Sequence, residues 1–229
     1  MKTVVLVHGA WHGPWCWAKV TPPLEAAGVP HAEVELPFTG HDDDIAATRS
    51  ALDSIDGMKV LVGHSYGGLV ISGAGEGRSD VAHLVYLCAF LVQPGETILE
   101  ELARVPDLPA AKVLDAIVGH DDGTSSIDPD HAVAAFYALS PPEAARDAIG
   151  WLRPMNGESV LSRCRGAPWR QIPSTYVLCE QDQAIPVEGQ RHMATNTTNR
   201  IVLDTDHSPF LSRPEDTAHI LISLARDSS

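Results

Sequence analysis

Residues 61–68 read Leu-Val-Gly-His-Ser-Tyr-Gly-Gly, so a single serine stands where a branched apolar run gives way to small residues. Gly63, Ser65 and Gly67 fit the spacing G-x-S-x-G between an apolar strand and a helix. A nucleophile on a sharp strand-to-helix turn takes strained backbone angles, and neighbours without side chains relieve the crowding. The bend lifts the hydroxyl clear of the chain. It also leaves N–H groups at the new helix start, directed at the place where an oxyanion would form. A serine hydroxyl near its free pKa is a poor nucleophile, so this chemistry needs an imidazole base and a carboxylate to orient it.

For such a turn the partners follow in the order serine, acid, histidine. Behind the apolar run Tyr176-Val177-Leu178-Cys179 comes Glu180-Gln181-Asp182, and an acid just past a strand end shares the rim with Ser65. Asp182 fits best, and Glu180 competes because it lies nearer the strand. His207 follows Ile201-Val202-Leu203 and alone among eleven histidines combines a strand-end position with the required order. His8 and His12 are expected to shape the glycine loop, His64 to pack beside the turn, and His192 and His219 to lie on helices. The first loop, His8-Gly9-Ala10, supplies the remaining part. Gly9 permits close backbone approach, so the N–H of Ala10 and that of Tyr66 form a two-donor oxyanion hole. Trp11, Phe136, Trp151 and Phe210 are the expected substrate-pocket residues, although each apolar side chain also suits a core.

These side chains must be carried by a regular scaffold. Short runs rich in Val, Leu and Tyr recur at Thr3–Val7, Ala32–Leu36, Lys59–Val62, Ala82–Cys88, Thr175–Cys179 and Arg200–Leu203. Several lack alternation, as strands covered on both faces do. Helical spacing falls between them, at Trp17–Ala27, Asp44–Ile55 and Pro214–Arg226. Alternating strands and helices predict an α/β fold, a mostly parallel six-stranded sheet in one domain over residues 1–229. The alternation breaks at about 94–173. That stretch shows no strand signal and offers helical pieces at Leu108–Val118, Asp130–Leu139 and Pro142–Leu152. A helical insertion after the fourth strand sits over the sheet's carboxyl edge as a cap, where ligands bind in open α/β sheets.

Composition narrows the class of function. Sixteen Lys and Arg against 30 Asp and Glu give a net charge of −14, which disfavours nucleic-acid and membrane-surface partners. The four cysteines, Cys16, Cys88, Cys164 and Cys179, form no CxxC pair and read as reduced thiols. The first apolar run stops at His8-Gly9, too short for a signal peptide, and no segment is long enough to span a bilayer. The expectation is a cytoplasmic enzyme with no cofactor and no metal, acting on a small molecule; oligomeric state is not legible, and a homodimer is left open. The similar runs Gly40–Asp44 and Gly119–Gly123 are taken as chance, and His41, Asp42 and Asp43 as loop residues rather than metal ligands.

With these stretches assembled, the chain resembles the α/β-hydrolase superfamily, in the branch of plant methylesterases, hydroxynitrile lyases and small bacterial esterases. "VLVHGAWHGPWCW", "LVGHSYGG", "FYALSPPEAARDAIGWLRP", "TYVLCEQDQAIP" and "DTDHSPFLSRP" carry the likeness between residues 5 and 214. The resemblance implies Ser65, Asp182 and His207 as the triad, Asp182 over Glu180, and Ala10 with Tyr66 as oxyanion donors. It also implies a small hydrophobic or aromatic ester, opened through an acyl-enzyme. Lyases of the branch carry a threonine beside the first-loop histidine and a lysine after the catalytic one. Here those places hold Gly9 and Ser208, which favours the esterase over cyanohydrin cleavage or a low-turnover ligand-binding role.

Overall fold

The computed structural model of the protein describes residues 1–227. The chain begins with β1 (Thr3–Val7), α1 (Thr21–Ala26), β2 (His31–Val34), α2 (His41–Asp53), β3 (Lys59–His64), α3 (Gly67–Ala74) and β4 (Val81–Leu87). An inserted segment follows, with α4 (Ile98–Leu102), α5 (Val113–Ala116), β5 (Ile117–Gly119), β6 (Thr124–Ile127), α6 (Pro129–Phe136), α7 (Pro142–Gly150) and β7 (Met155–Asn156). The alternation then resumes as β8 (Ser174–Cys179), α8 (Val187–Met193), β9 (Asn199–Leu203), α9 (Pro209–Ser212) and α10 (Pro214–Arg226).

Six strands form one sheet in the order β2-β1-β3-β4-β8-β9, and every neighbouring pair is parallel. Every residue of β3 and β8 is buried, which explains why their sequences run apolar without alternation. From β1 the chain steps outward to β2, then returns to β3 on the other side of β1. That reversal parts the loops after β1 and β3 and opens a crevice at the sheet's carboxyl edge. The glycine loop and the serine turn are those two loops.

The predicted six-stranded core therefore holds, with strand ends moved by a residue or two. Three expectations change. The Trp17–Ala27 helix is split into a 3-10 turn at Pro14–Trp17 and α1, because the Pro22-Pro23 pair suits a helix start and not its interior. The helix expected over Leu108–Val118 shrinks to α5, since Ile117 turns extended and pairs with Ile127. The inserted segment, expected to lack strands, holds a second sheet, β5-β6-β7, which is antiparallel. Its strands are only two to four residues long and the middle one is mainly Ser and Thr, so no apolar alternation announces them. The β5–β6 turn sets their register: Gly123 has φ 81°, and Asp122 accepts the Thr124 N–H at 2.9 Å.

Candidate active site

β3 runs buried to His64 and then breaks sharply. Ser65 has φ 53°, in the left-handed region, and α3 starts two residues later. A Cβ on Gly63 would stand 2.5 Å from Gly67 O, and one on Gly67 would stand 2.7 Å from Val7 O. Glycine at both places is a packing requirement: it lets the turn press against itself and against β1. The Ser65 amide donates to Leu87 O at 3.3 Å, while its carbonyl accepts from Phe90 N at 3.1 Å. The strained residue is thus tied to the end of β4.

Asp182 and His207, the expected acid and base, lie on the loops after β8 and β9. Asp182 is buried, and its Oδ1 accepts the N–H groups of Ala184 at 2.7 Å and Ile185 at 2.9 Å. Its Oδ2 accepts from His207 Nδ1 at 2.7 Å, which puts the imidazole proton on Nδ1 and leaves Nε2 as the basic atom. Glu180, the competitor, points outward and pairs with Arg191 at 3.2 Å. The backbone of His207 is held too, because its carbonyl accepts from His64 Nε2 at 2.8 Å. Ser65 Oγ and His207 Nε2 make no hydrogen bond within 3.5 Å to any group among the described residues. Such nucleophile–base links are often long without substrate and tighten when it binds.

The N–H groups of Ala10 and Tyr66 have no acceptor among the described residues, and both residues line the cavity beside Ser65. Two histidines set the Ala10 loop. Leu36 N–H donates to His8 Nε2 at 3.1 Å, so His8 Nδ1–H donates to Gly9 O at 3.0 Å, on the peptide whose N–H belongs to Ala10. Tyr137 O–H donates to His12 Nε2 at 2.9 Å, and His12 Nδ1–H donates to Ala10 O at 2.7 Å. Each ring works as donor and acceptor at once, which only a neutral imidazole can do. Burial keeps them neutral, lowering His8 to about 3 and His12 to about 4.

This has a consequence for stability. Above pH 6.5 these rings are neutral in both folded and unfolded chains and contribute no pH dependence. Below 6.5 the unfolded chain binds protons that the folded chain refuses until about pH 4 for His12 and about pH 3 for His8. The unfolding free energy is expected to fall as pH drops from 6.5 towards 4, by up to about 1.4 kcal/mol per pH unit for each such group, and the melting temperature with it. Thermal melts of His12→Gln, whose amide can both donate and accept, should show a shallower slope over that window.

Tyr66 is anchored from below. Its hydroxyl donates to Asp44 Oδ2 at 2.7 Å and accepts from His41 Nδ1 at 3.0 Å, and Asp44 Oδ1 accepts Phe38 N–H at 2.9 Å. His41, expected in a loop, and Asp44, expected at a helix start, are therefore two buried polar anchors, while Asp42 and Asp43 stay exposed. A helix face could have been read there, since α2 starts three residues before the expected Asp44. His64, Cys88 and His207 bring ligand-type atoms within 4.8 Å of one another. His64 Nε2 is committed to His207 O, His207 Nδ1 to Asp182, and burial keeps the Cys88 thiol protonated, while His64 Nδ1 and His207 Nε2 have no hydrogen-bond partner among the described residues.

The cavity over Ser65 has a volume of about 200 Å³ and no charged side chain in its wall. Trp11 and Phe136 line it as expected, as does Phe90. Trp11 is fixed by its Nε1–H, which donates to Ser125 Oγ at 3.2 Å on β6. Trp151 and Phe210 are corrected. Trp151 is 55% exposed and leans on Trp15 outside the cavity, with ring centres 5.5 Å apart. Phe210 is fully buried beneath the site, edge-on to His64 at 5.0 Å and packed on Trp17 at 5.7 Å. The wall missed in the sequence is the aliphatic one, Ile98, Leu99, Leu102, Leu114, Val160 and Leu161 from the inserted segment. Apolar residues at helical spacing do not declare whether they face a core or a pocket.

A serine on a sharp strand-to-helix turn of a parallel sheet, with a paired aspartate and histidine after later strands, is the arrangement expected of one class of hydrolase. The model of the "Alpha/beta hydrolase family" matches residues 4–220, and the chain belongs to that family. Within it the chain stands in the methylesterase-like branch. It is 30% identical to Methylesterase 1 of Arabidopsis thaliana over 96% of this chain and 95% of that protein. It is 28% identical to Methyl jasmonate esterase 1 of Vitis vinifera, over 98% of this chain and 97% of that one. Among solved structures, a pyrethroid hydrolase from Sphingobium faniae superposes with a TM-score of 0.86 at 25% identity, covering 99% of this chain and 98% of that chain.

Proposed function

We propose that the protein is a serine carboxylesterase for small uncharged esters with a hydrophobic or aromatic group, acting through an acyl-enzyme. One observation carries the reading: a strained serine and two N–H groups without an acceptor among the described residues border an uncharged cavity, and Asp182 and His207 pair at 2.7 Å on the same edge of the sheet. Ser65 Oγ attacks the ester carbonyl while His207 Nε2 takes its proton. The carbonyl oxygen becomes an oxyanion between the N–H groups of Ala10 and Tyr66. His207 returns the proton to the departing alcohol, then draws one from water, whose oxygen attacks the acyl carbon. The tetrahedral species collapses to free acid as His207 returns that proton to the departing Ser65 Oγ, which restores the hydroxyl and the neutral ring. Throughout, Asp182 holds the Nδ1 tautomer and stabilises the imidazolium.

The apolar wall offers a carboxylate or phosphate no partner, so charged esters are disfavoured and neutral ones held by burial. Residues 94–173 act as the cap that selects among them. The similar proteins named methylesterases and methyl jasmonate esterase support an ester substrate, and the four cysteines, all buried and free, suit a reducing cytoplasm. Among the described residues no helix is long and apolar enough to cross a membrane.

The decisive experiment incubates the protein with nitrophenyl and methyl esters of increasing acyl length, then with mandelonitrile. Ester hydrolysis with an acyl adduct on the Ser65 peptide is the expected result. Faster release of cyanide than of nitrophenol would make it a lyase, and binding without product would make it a ligand carrier. Gly9 provides a second check. A Cβ there would come within 2.8 Å of both His64 Nδ1 and Ser65 Cβ. Gly9→Ala should displace the Ala10 donor and lower kcat by about 10²-fold, the effect of losing one oxyanion donor. Unchanged steady-state kinetics would remove that loop from the chemistry.

A further inference from the structure

We infer that Gln190 is a positioning residue of the acid–base pair, its carboxamide clamping the Asp182 carboxylate against the imidazole of His207 and sharing the charge of the oxygen that faces it. The inference rests on the esterase reading above. Gln190 lies on α8, eight residues beyond Asp182, and is fully buried. Its orientation follows from its partners. Oε1 accepts the N–H of Cys179, at the end of β8, at 3.0 Å. Nε2 therefore faces the other way, donating to Asp182 Oδ2 and to Ile185 O, each at 2.8 Å.

This side chain thus links the strand that delivers the acid, the loop that bears it and the acid itself. The four hydrogen bonds to Asp182 divide evenly. Two backbone N–H groups hold Oδ1, while Oδ2 is shared between His207 and Gln190. The two backbone N–H groups restrain Oδ1, and at Oδ2 the Gln190 amide is a second donor beside His207 Nδ1. It also disperses charge that would otherwise fall wholly on the imidazole.

Removing that donor leaves Oδ2 more basic, so the imidazolium of His207 is better stabilised and the ring loses its proton at higher pH. Catalysis needs the neutral ring, so the acid limb of the rate profile must move upward. Other titratable groups face the pair. His64 and His12 are held neutral by burial, the Cys88 and Cys179 thiols and the Tyr176 phenol are held protonated by burial, and Asp206 accepts from Leu139 N, Ser140 Oγ, Ser208 N and Ser212 Oγ. None of them hydrogen-bonds Gln190, so its replacement leaves their partners in place.

The test is Gln190→Met in the full chain, assayed with a nitrophenyl ester across pH and normalised to active sites titrated with a fluorophosphonate. The expected result is kcat lowered by about tenfold or more, KM within about twofold, and the acid limb raised by about half a pH unit. A merely structural role would lower the number of active sites and leave kcat per site and the limb unmoved; that outcome overturns the inference. If the methionine variant does not fold, Gln190→Glu keeps the length and the acceptor for Cys179 N–H but sets a second carboxyl against Asp182. Its activity per site should decline further as pH rises and that carboxyl ionises; full activity independent of pH also overturns the inference. Ser65→Ala and Asp182→Asn run alongside separate the two levels. If they retain turnover, the esterase reading fails; if they abolish it while Gln190→Met is silent, only the role of Gln190 fails.

Discussion

Ser65→Ala is expected to lower ester turnover by about a millionfold, to the level left by binding and the oxyanion hole, and to abolish labelling by a fluorophosphonate. The reasoning is geometric. Ser65 is the residue at the apex of the β3–α3 turn, its backbone strained at φ 53° and its hydroxyl without a hydrogen-bond partner among the described residues at the cavity wall. A methyl group there preserves the turn, since Ala carries the same Cβ and the pinch depends on Gly63 and Gly67. The variant should therefore fold with an unchanged melting temperature and bind the ester without opening it. Turnover near that of the parent protein in a correctly folded Ser65→Ala variant would take the nucleophile away from this turn, and the esterase mechanism with it.

Asp182→Asn is expected to cost about 10⁴-fold in kcat. The reason lies in hydrogen-bond polarity. The two backbone N–H groups of Ala184 and Ile185 require an oxygen where Oδ1 now sits. The new amide must then place its NH₂ where Oδ2 was, facing His207 Nδ1 and Gln190 Nε2, both donors. His207 escapes that clash by shifting its proton to Nε2, and in that tautomer it cannot accept the serine proton. The loss should lie in kcat rather than KM, because Asp182 does not line the cavity. Glu180→Gln is the matched control. That carboxylate is exposed and paired only with Arg191, so its kinetics should stay within about twofold of the parent, as for most surface substitutions. Comparable losses in both variants would undo the assignment of the acid.

The two carboxylates also show where sequence reading stops. Glu180 and Asp182 both follow a strand and both precede His207, so order and spacing admit either. Only their bonding separates them, one turned to solvent and Arg191, the other inward to His207. Pocket aromatics divide the same way. Trp11 and Phe136 face the cavity, Trp151 leans on the surface and Phe210 fills the core, although all four are apolar residues near matching motifs. His41 reads as a loop residue and Asp44 as the start of a helix, yet both anchor the Tyr66 hydroxyl. Gln190 carries no mark at all, being one glutamine on a short helix. The second sheet escaped because its strands are too short for a period to develop.

What the amino-acid order determines by itself is whatever depends on neighbours along the chain. Unbroken apolar runs specify strands covered on both faces, alternation with helices specifies a parallel sheet, and small residues around Ser65 specify a bend no larger side chains could enter. The histidine was legible for the same reason, as a polar residue placed just beyond a strand end. Tertiary structure alone decides which side chains separated by many residues share a hydrogen bond and which apolar faces meet a cavity instead of a core. Those outcomes depend on how loops converge across the sheet, where directional bonds of about 3 Å select one partner from several of equal chemistry.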